Sequence, residues 1–235
     1  MARWLPLAAL IGLQIAYPLT TGGARTGLVL ATVALGWAFS TGHALLTRGP
    51  RTALLLVAVT TAGGFAVEAL GVHTGFPFGQ YGYADLGPAL LGVPLVVPLA
   101  WTWMAWPAWL GAARLTARRL PRIGLAGLGL AAWDLFLDPQ MVAAGYWSWA
   151  GTDGVPLTNY AGWLGVSLLM MAVLSLGEPS GPSTQDAPMY GLYLWTYGSS
   201  VLAHAVFLHL PGSALWGALG MGLVAIPLAI RLVRA

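Results

Sequence analysis

The 235-residue sequence contains no cysteine and no lysine, and only 7% of its residues are charged. The absence of cysteine excludes disulfide bonds and thiolate metal sites. Charged residues make up about a quarter of an ordinary water-soluble domain, whereas here 58% of the residues are hydrophobic. The scarcity of charge therefore excludes a chain built mainly of water-soluble domains and predicts an integral membrane protein.

The sequence contains several long apolar runs. Runs of about 20 apolar residues are typical of helices that span a membrane. We predict an all-α integral membrane protein with about eight transmembrane helices in one bundle, forming a single polytopic domain over residues 1–235. Gln14 and Tyr17 interrupt the first run and no small-residue cleavage site ends it, which favours a spanning helix over a signal peptide. The predicted spans are 4–20, 27–47, 52–73, 89–112, 122–145, 160–177, 190–210 and 213–233.

The ten basic residues are all arginines, and their positions predict an orientation. Eight spans put nine arginines on the side that holds both termini and leave only Arg25 on the other side. Arginine excess marks the cytoplasmic side, so we predict cytoplasmic N and C termini. The loop 178–188 departs from this pattern because it carries Glu178 and Asp186 and no arginine, although acidic residues contribute little to the rule. The scattered arginines form no nucleic-acid-binding patch, so no nucleic-acid partner is expected.

The segment 75–87, GFPFGQYGYADLG, interrupts the apolar pattern between the third and fourth predicted helices. Pro77 cannot continue a helix, and the segment is rich in glycine and aromatic residues. We predict a re-entrant or aromatic loop on the side away from most arginines, together with the segment 146–159. Irregular backbone at membrane depth persists where protein buries it or where it lines a cavity, so this side is expected to hold a site.

Three carboxyl groups are the main candidates for chemistry. Asp134 and Asp138 are four residues apart, so they lie on one helix face about one turn from each other. Glu68 is expected at a similar depth in the third span. Intramembrane carboxyl groups are functional candidates by default, and two close together cannot both ionise cheaply, so we expect at least one to be protonated beside one that can accept a proton. The alternative is that they only satisfy helix ends or neighbouring hydroxyl groups.

The four histidines give a weaker signal. His204 and His209 are five residues apart, which is poor spacing for one helix face, and His43 lies toward the basic side. These are interpreted as hydrogen-bonded core or interface residues, while His73 stays a candidate because it enters the aromatic loop. No metal site is predicted. A Mg²⁺-dependent prenyltransferase is disfavoured because the arginines that would hold a diphosphate lie on the opposite side.

Aromatic residues flank the carboxyl groups. Phe76, Phe78, Tyr81 and Tyr83 could line a hydrophobic slot, and their ring faces could stabilise a cation. The alternative is ordinary packing or an interfacial aromatic belt, which is favoured for Trp109 and Trp149. Further tryptophans along the fourth span and in the later loop are Trp101, Trp103, Trp106 and Trp147.

Three ordered blocks resemble a known family. They read EALGVHTGFPFGQYGYADLGPALLGVPLVVPLAW, WDLFLDPQMVAAGYWSW and GVPLTNYAGWL, and they lie between Glu68 and Leu164. The sequence resembles the membrane carotenoid-biosynthesis proteins that include the bacterial and haloarchaeal carotenoid 1′,2′-hydratase. The resemblance implies acid-catalysed addition of water to the terminal double bond of an acyclic carotenoid, giving a tertiary alcohol. It also implies no cofactor, a bacterial or archaeal cell membrane, a carotenoid drawn from the bilayer, and possible association with other carotenoid-biosynthesis enzymes.

The resemblance and the carboxyl groups together give a mechanistic hypothesis. One acid of the aspartate pair would donate the proton, and the second aspartate or Glu68 would orient and deprotonate water. Asn159 would hold that water, and the loop 75–87 would cover the chamber. The expected catalytic residues are Asp134, Asp138 and Glu68. The expected substrate-binding residues are Phe76, Phe78, Tyr81, Tyr83, Trp101, Trp147, Asn159 and His73.

Two other classes of function stay open at the level of sequence. Intramembrane acids and broken helices also serve proton-coupled transport, and an aromatic slot would suit a non-catalytic carotenoid- or quinone-binding protein. An enzyme predicts the three acids around one dead-end apolar pocket, whereas a transporter predicts a polar path that reaches both faces. The sequence does not decide the substrate's length or which acid donates the proton.

Overall fold

The computed structural model describes residues 2–177 and 181–234, which form helices with four short β-strands. The apolar runs become helices because a helix satisfies its own backbone hydrogen bonds where water is absent. The helices are α1 Leu5–Ala16, α2 Gly22–Arg48, α3 Pro50–Leu56, α4 Gly63–Thr74, α5 Val97–Leu115, α6 Arg119–Ala131, α7 Asp134–Ala143, α8 Leu157–Gly177, α9 Ala187–Leu202 and α10 Pro211–Val233. The strands are β1 Tyr81–Tyr83, β2 Ala89–Leu90, β3 Val93–Pro94 and β4 Trp147–Trp149.

Five helical segments within the described residues are long and apolar enough to cross a membrane. Two of these segments each consist of two consecutive helices. A π-helical segment connects α3 to α4, and a short turn connects α6 to α7. The chain is thus an all-α membrane protein, while the count of about eight spans and the orientation of the termini stay predictions. The five segments are Gly22–Arg48, Pro50–Thr74, Arg119–Ala143, Leu157–Gly177 and Pro211–Val233.

The fourth predicted span begins at the wrong residue. The prediction started it at residue 89, but β2 and β3 pair as an antiparallel hairpin there, and α5 begins only at Val97. Glycines at 87 and 92 have positive φ angles of 88° and 77°, which are conformations that favour glycine. These turns allow the chain to fold back beside α4 before α5 begins.

Helix α5 lies at the centre of the bundle and packs against α2, α6, α9 and α10. Its side chains are buried from Ala100 to Ala113, including the rings of Trp101, Trp106 and Trp109. Gly64 of α4 makes room for the Trp101 ring, as small residues do at helix contacts in membranes. A Cβ added at Gly64 would lie 2.8 Å from Cδ1 of Trp101.

The segment predicted as the fifth span contains a break rather than a continuous helix. Helix α6 ends at Ala131, a turn follows, and α7 begins at Asp134. Pro139 lies within α7 and has no N–H to donate to the carbonyl of Leu135. The Ser213 hydroxyl of α10 donates to that carbonyl instead, at 2.6 Å. The break and the proline leave α7 as a separate short helix that carries both aspartates.

The acidic residue that departed from the arginine pattern is part of an ion pair. Arg48 Nη2 donates to both carboxylate oxygens of Asp186 at 2.9 Å, and the Asp186 side chain is fully buried. The same carboxylate accepts from the Ser183 backbone N–H in a capping box. Asp186 therefore neutralises an arginine next to it, which explains an acid in that loop. Glu178 lies outside the described residues.

Candidate functional site

Two short strands from distant parts of the chain form a pair that we call the aromatic ribbon, β1 with β4. They are antiparallel, with Tyr81 opposite Trp149 and Tyr83 opposite Trp147. Because side chains alternate along a strand, these four rings fall on one face. Tyr81 stacks on Trp149 with ring centroids 5.8 Å apart, and Tyr83 meets Trp147 edge to face at 5.6 Å. The ribbon thus brings the aromatic loop and the later loop together.

Glu68 of α4 lies against this ribbon and is almost completely buried. Its Oε2 atom accepts hydrogen bonds from the Tyr81 hydroxyl at 2.5 Å and the Tyr83 hydroxyl at 2.7 Å. Its Oε1 atom accepts from Trp101 Nε1 at 3.1 Å. Both carboxyl oxygens of Glu68 are therefore held in place as acceptors by three donors from β1 and α5.

The two ribbon tyrosines serve as donors to Glu68. They lie in β1, outside the membrane-spanning helices. Burial and the adjacent Glu68 raise the pKa of the Tyr83 phenol well above its ordinary value, and the same causes raise the pKa of Tyr81. Both hydroxyl groups therefore keep their protons at any physiological pH. A tyrosine that stays neutral can donate continuously to a neighbouring carboxylate.

Asp134 and Asp138 form a buried carboxyl pair at the start of α7. The Asn159 side-chain amide of α8 donates to Oδ2 of Asp134 at 2.8 Å and to Oδ2 of Asp138 at 2.5 Å. The shared amide holds the two carboxyl groups side by side. Two neighbouring carboxyl groups that are buried away from water cannot both ionise cheaply. The pair is therefore arranged to hold one proton between two acids.

Trp147 connects the carboxyl pair to the ribbon. Its Nε1 atom donates to Oδ1 of Asp138 at 3.1 Å. The ring of Trp147 also touches Tyr83, which donates to Glu68. A continuous set of contacts consequently runs from Glu68 through the aromatic ribbon to Asp138. The two kinds of carboxyl site, one with three donors and one sharing a proton, belong to a single arrangement.

Glu68 and Asp138 line the same cavity, which has about 1280 Å³ of empty space including its opening. Asp134 and Asn159 are buried behind Asp138 and do not line it. Of the three expected acids, Asp134 therefore does not face the cavity. Aromatic and aliphatic side chains form most of the wall, including Phe78, Tyr81, Tyr83, Trp101, Phe136, Leu137, Trp147 and Trp163.

The predicted substrate-binding residues divide into two groups. Phe78 and Trp101 line the cavity, and the Trp101 ring stacks on Trp163 with centroids 3.8 Å apart and a tilt of 11°. Phe76 is 70% exposed and lies outside the cavity wall. His73 is exposed as well, and its Nδ1 atom bonds to the carbonyl of Ala69. The structure brings neither of these two residues to the carboxyl groups.

Sequence reasoning missed several polar residues of the cavity wall. Gln14 and Tyr17 reach it from the first helical segment, and Gln140 reaches it from α7. Each of them interrupts an otherwise apolar run, and that interruption was the available signal. His43 and His204 are buried and hydrogen-bonded, as their interpretation as core residues expects. In the described part of the chain, no three His, Asp or Glu side chains gather as metal ligands would.

The fold and the cavity define a helical membrane protein in which two carboxyl groups face one largely apolar cavity. The chain matches the family described as carotenoid biosynthesis protein over residues 25–228, and it belongs to that family. It is also similar to bisanhydrobacterioruberin hydratase of Haloarcula japonica, with 40% identity over 126 residues. That match covers 48% of this chain and 41% of the relative. No solved structure matches the chain.

Proposed function

We propose that the protein is a carotenoid hydratase that adds water to a terminal double bond by acid catalysis. The observation that carries this proposal is the difference between two carboxyl groups on one apolar cavity. Asp138 is one of two carboxyl groups held side by side, which cannot both ionise cheaply, whereas Glu68 accepts three hydrogen bonds. Hydration of an alkene needs one group that gives a proton and another that takes one.

In the proposed mechanism, Asp138 is the proton donor. It is the member of the pair that lines the cavity, so its carboxyl group can reach a bound double bond. Asp134 lies behind it and shares the proton, which makes Asp134 a positioning residue. Asn159 holds the two carboxyl groups side by side by donating to both. This role for Asn159 differs from the water-holding role expected from the sequence.

Glu68 is the proposed proton acceptor for the attacking water. An ionised Glu68 on the cavity wall would also stabilise the cation that forms there. The ring faces of Tyr81, Tyr83 and Trp147 add to that stabilisation, since aromatic faces attract cations. Phe78 and Trp101 shape the apolar wall along a flat polyene.

The steps balance as a net addition of one water. The π electrons of the double bond take the proton of Asp138, forming a C–H bond at the less substituted carbon and leaving a tertiary cation. A water oxygen then forms the C–O bond while its proton passes to Glu68. The product is a tertiary alcohol, and the proton on Glu68 returns to the aspartate pair before the next turnover.

The proposed substrate is an acyclic carotenoid end group with a trisubstituted terminal double bond, hydrated at the 1′,2′ position. Two observations support a carotenoid: the family to which the chain belongs and the name of the similar hydratase. The largely apolar wall suits a rigid hydrocarbon that enters from the bilayer. We propose that the reaction needs no cofactor, because the carboxyl groups supply both proton transfers.

The test is expression in a host that makes acyclic carotenoids, followed by mass spectrometry of the pigments. The wild type should add one water, and Asp138→Asn and Glu68→Gln should each reduce hydration by about a hundredfold or more, the range for losing a general acid or base. Asp85→Asn is the matched control, since Asp85 is an exposed carboxyl group in the loop 75–87 and lies outside the cavity wall. Retained hydration in Asp138→Asn, or no hydration by folded wild type, would contradict the proposal.

A further inference from the structure

A second, smaller cavity adjoins the main one beside α7. It has about 430 Å³ of empty space including its opening. Tyr17, Gln140 and Leu208 line both cavities, so these three side chains form the partition between them. The smaller cavity, which we call the antechamber, is otherwise lined by Arg25, Ala143, Ala144, Phe207 and Leu210.

The antechamber is polar where it meets the partition. Arg25 lies over the Tyr17 ring with its guanidinium carbon 5.3 Å from the ring centroid, and its Nε atom donates to the carbonyl of Thr20 at 2.7 Å. The side chains of Tyr17 and Gln140 both line the partition. Water occupies a protein cavity where two to four polar partners are available. A guanidinium, a phenol and an amide supply such partners here.

A buried chain of hydrogen bonds fixes the position of Gln140. Its Oε1 atom is 3.1 Å from Nε2 of His204, which is fully buried. The Nδ1 atom of His204 is 2.8 Å from the Ser213 hydroxyl. Ser213 in turn donates to the carbonyl of Leu135 that Pro139 leaves without its helical partner. The glutamine is therefore held at the partition from behind, rather than turning freely into either cavity.

We infer that the antechamber supplies water to the main cavity and that Tyr17 and Gln140, which line the partition, gate the passage. This inference rests on the proposed function, because hydration consumes one water for every alcohol formed. The main cavity has mostly aromatic and aliphatic walls, and its proposed hydrocarbon substrate comes from the bilayer rather than from water. Gln140 lies two residues beyond Asp138 on α7 and also lines the main cavity. Water that passes the partition enters beside the reacting groups.

The test uses the natural absence of cysteine, which makes every introduced thiol unique. Ala144→Cys places a thiol in the antechamber, and Ala100→Cys places one in the main cavity. The purified variants are reconstituted in lipid vesicles and treated with a cationic methanethiosulfonate, which does not enter from the hydrocarbon. Ala144→Cys should react readily, and Ala100→Cys should react about tenfold more slowly, since labelling follows the open fraction of the gate.

Removing the gate should change the labelling rate of Ala100→Cys in the main cavity and leave that of Ala144→Cys in the antechamber unchanged. Gln140→Ala should raise the labelling rate of Ala100→Cys by about tenfold. Gln185→Ala, which removes an exposed glutamine far from both cavities, is the matched control and should leave the rate unchanged. An unreactive Ala144→Cys in correctly folded protein, or an Ala100→Cys rate that Gln140→Ala leaves unchanged, would overturn the inference.

An activity measurement separates this inference from the proposed function. Gln140→Leu keeps the size of the side chain and removes its polar atoms, so hydration should fall while carotenoid binding to the purified protein persists. Lost binding, or hydration at the wild-type rate, would overturn the gate. If the labelling pattern holds but the wild type hydrates no acyclic carotenoid, the proposed function fails while water access stands. If hydration occurs without the labelling pattern, the function stands and the gate fails.

Discussion

At the scale of single residues, hydrogen-bond partners distinguish acids that look alike in the sequence. Glu68 accepts from three donors, whereas Asp134 and Asp138 share the one Asn159 amide. Asp134 is fully buried, and its Oδ1 atom has no hydrogen-bond partner. A carboxyl group with an unsatisfied oxygen in such a place favours keeping a proton. Different surroundings thus prepare one site to give a proton and the other to take one.

Asn159 provides the residue-scale prediction. Replacing it with leucine keeps the branched shape and the number of side-chain heavy atoms but removes the amide that holds both aspartates, so the Asp138 carboxyl should lose its position. A displacement of about 1 Å at a catalytic group can cost about a hundredfold in rate, and we expect a loss of that size in pigment hydration. The neighbouring variant Thr158→Ala, at an exposed position, should retain activity. Full activity in a folded Asn159→Leu protein would contradict the role given to this amide.

The sequence predicted the placement of the two aspartates better than that of His73, a residue close to Glu68 in the chain. The four-residue spacing of Asp134 and Asp138 put them on one face of a helix, and α7 holds them there. His73 follows Glu68 by five residues on α4, which is about 140° around a helix at 3.6 residues per turn. The histidine therefore points away from the cavity although it is near Glu68 in the sequence. Closeness along the chain did not imply closeness around the helix axis.

At the scale of elements, the aromatic ribbon links α4 to α7. Its strands are three residues long and far apart in the sequence, so their pairing could not be predicted from local pattern. The signal was present, since YGY and WSW both alternate an aromatic with a small residue. Gly71 lets the ribbon approach α4, because a Cβ there would lie 2.7 Å from the Tyr81 hydroxyl oxygen.

The variant Gly71→Ala tests this close approach. The added methyl group should push Tyr81 off Glu68 and remove one charge-assisted hydrogen bond. Such a bond contributes about 1.5 kcal/mol or more, so the loss should lower hydration by about tenfold. Pigment analysis beside the control Gly82→Ala measures this effect, since a Cβ at Gly82 in β1 meets nothing within 4 Å. Equal activity in the two variants would show that the Tyr81 contact is dispensable.

At the scale of the whole molecule, apolar length predicted the membrane bundle but not all of its boundaries. Helices α5 and α9 fall outside the set of long apolar helices found among the described residues. Helix α5 contains four tryptophans and Pro107, which lower its hydropathy although its side chains are buried. The break before Asp134 was also missed, because an apolar run gives no sign of a turn inside it. Packing against the other helices, rather than high hydropathy, stabilises α5 and α9 in the bundle.

The most direct test of the central claim follows the atoms of water in the reaction. The purified protein in lipid vesicles is given an acyclic carotenoid in D₂O and, separately, in ¹⁸O-labelled water, and the product is analysed by mass spectrometry. Proton donation by an exchangeable carboxyl group predicts one carbon-bound deuterium in D₂O and one ¹⁸O atom in labelled water. A product whose oxygen does not come from water, or one with no carbon-bound deuterium, would contradict acid-catalysed hydration.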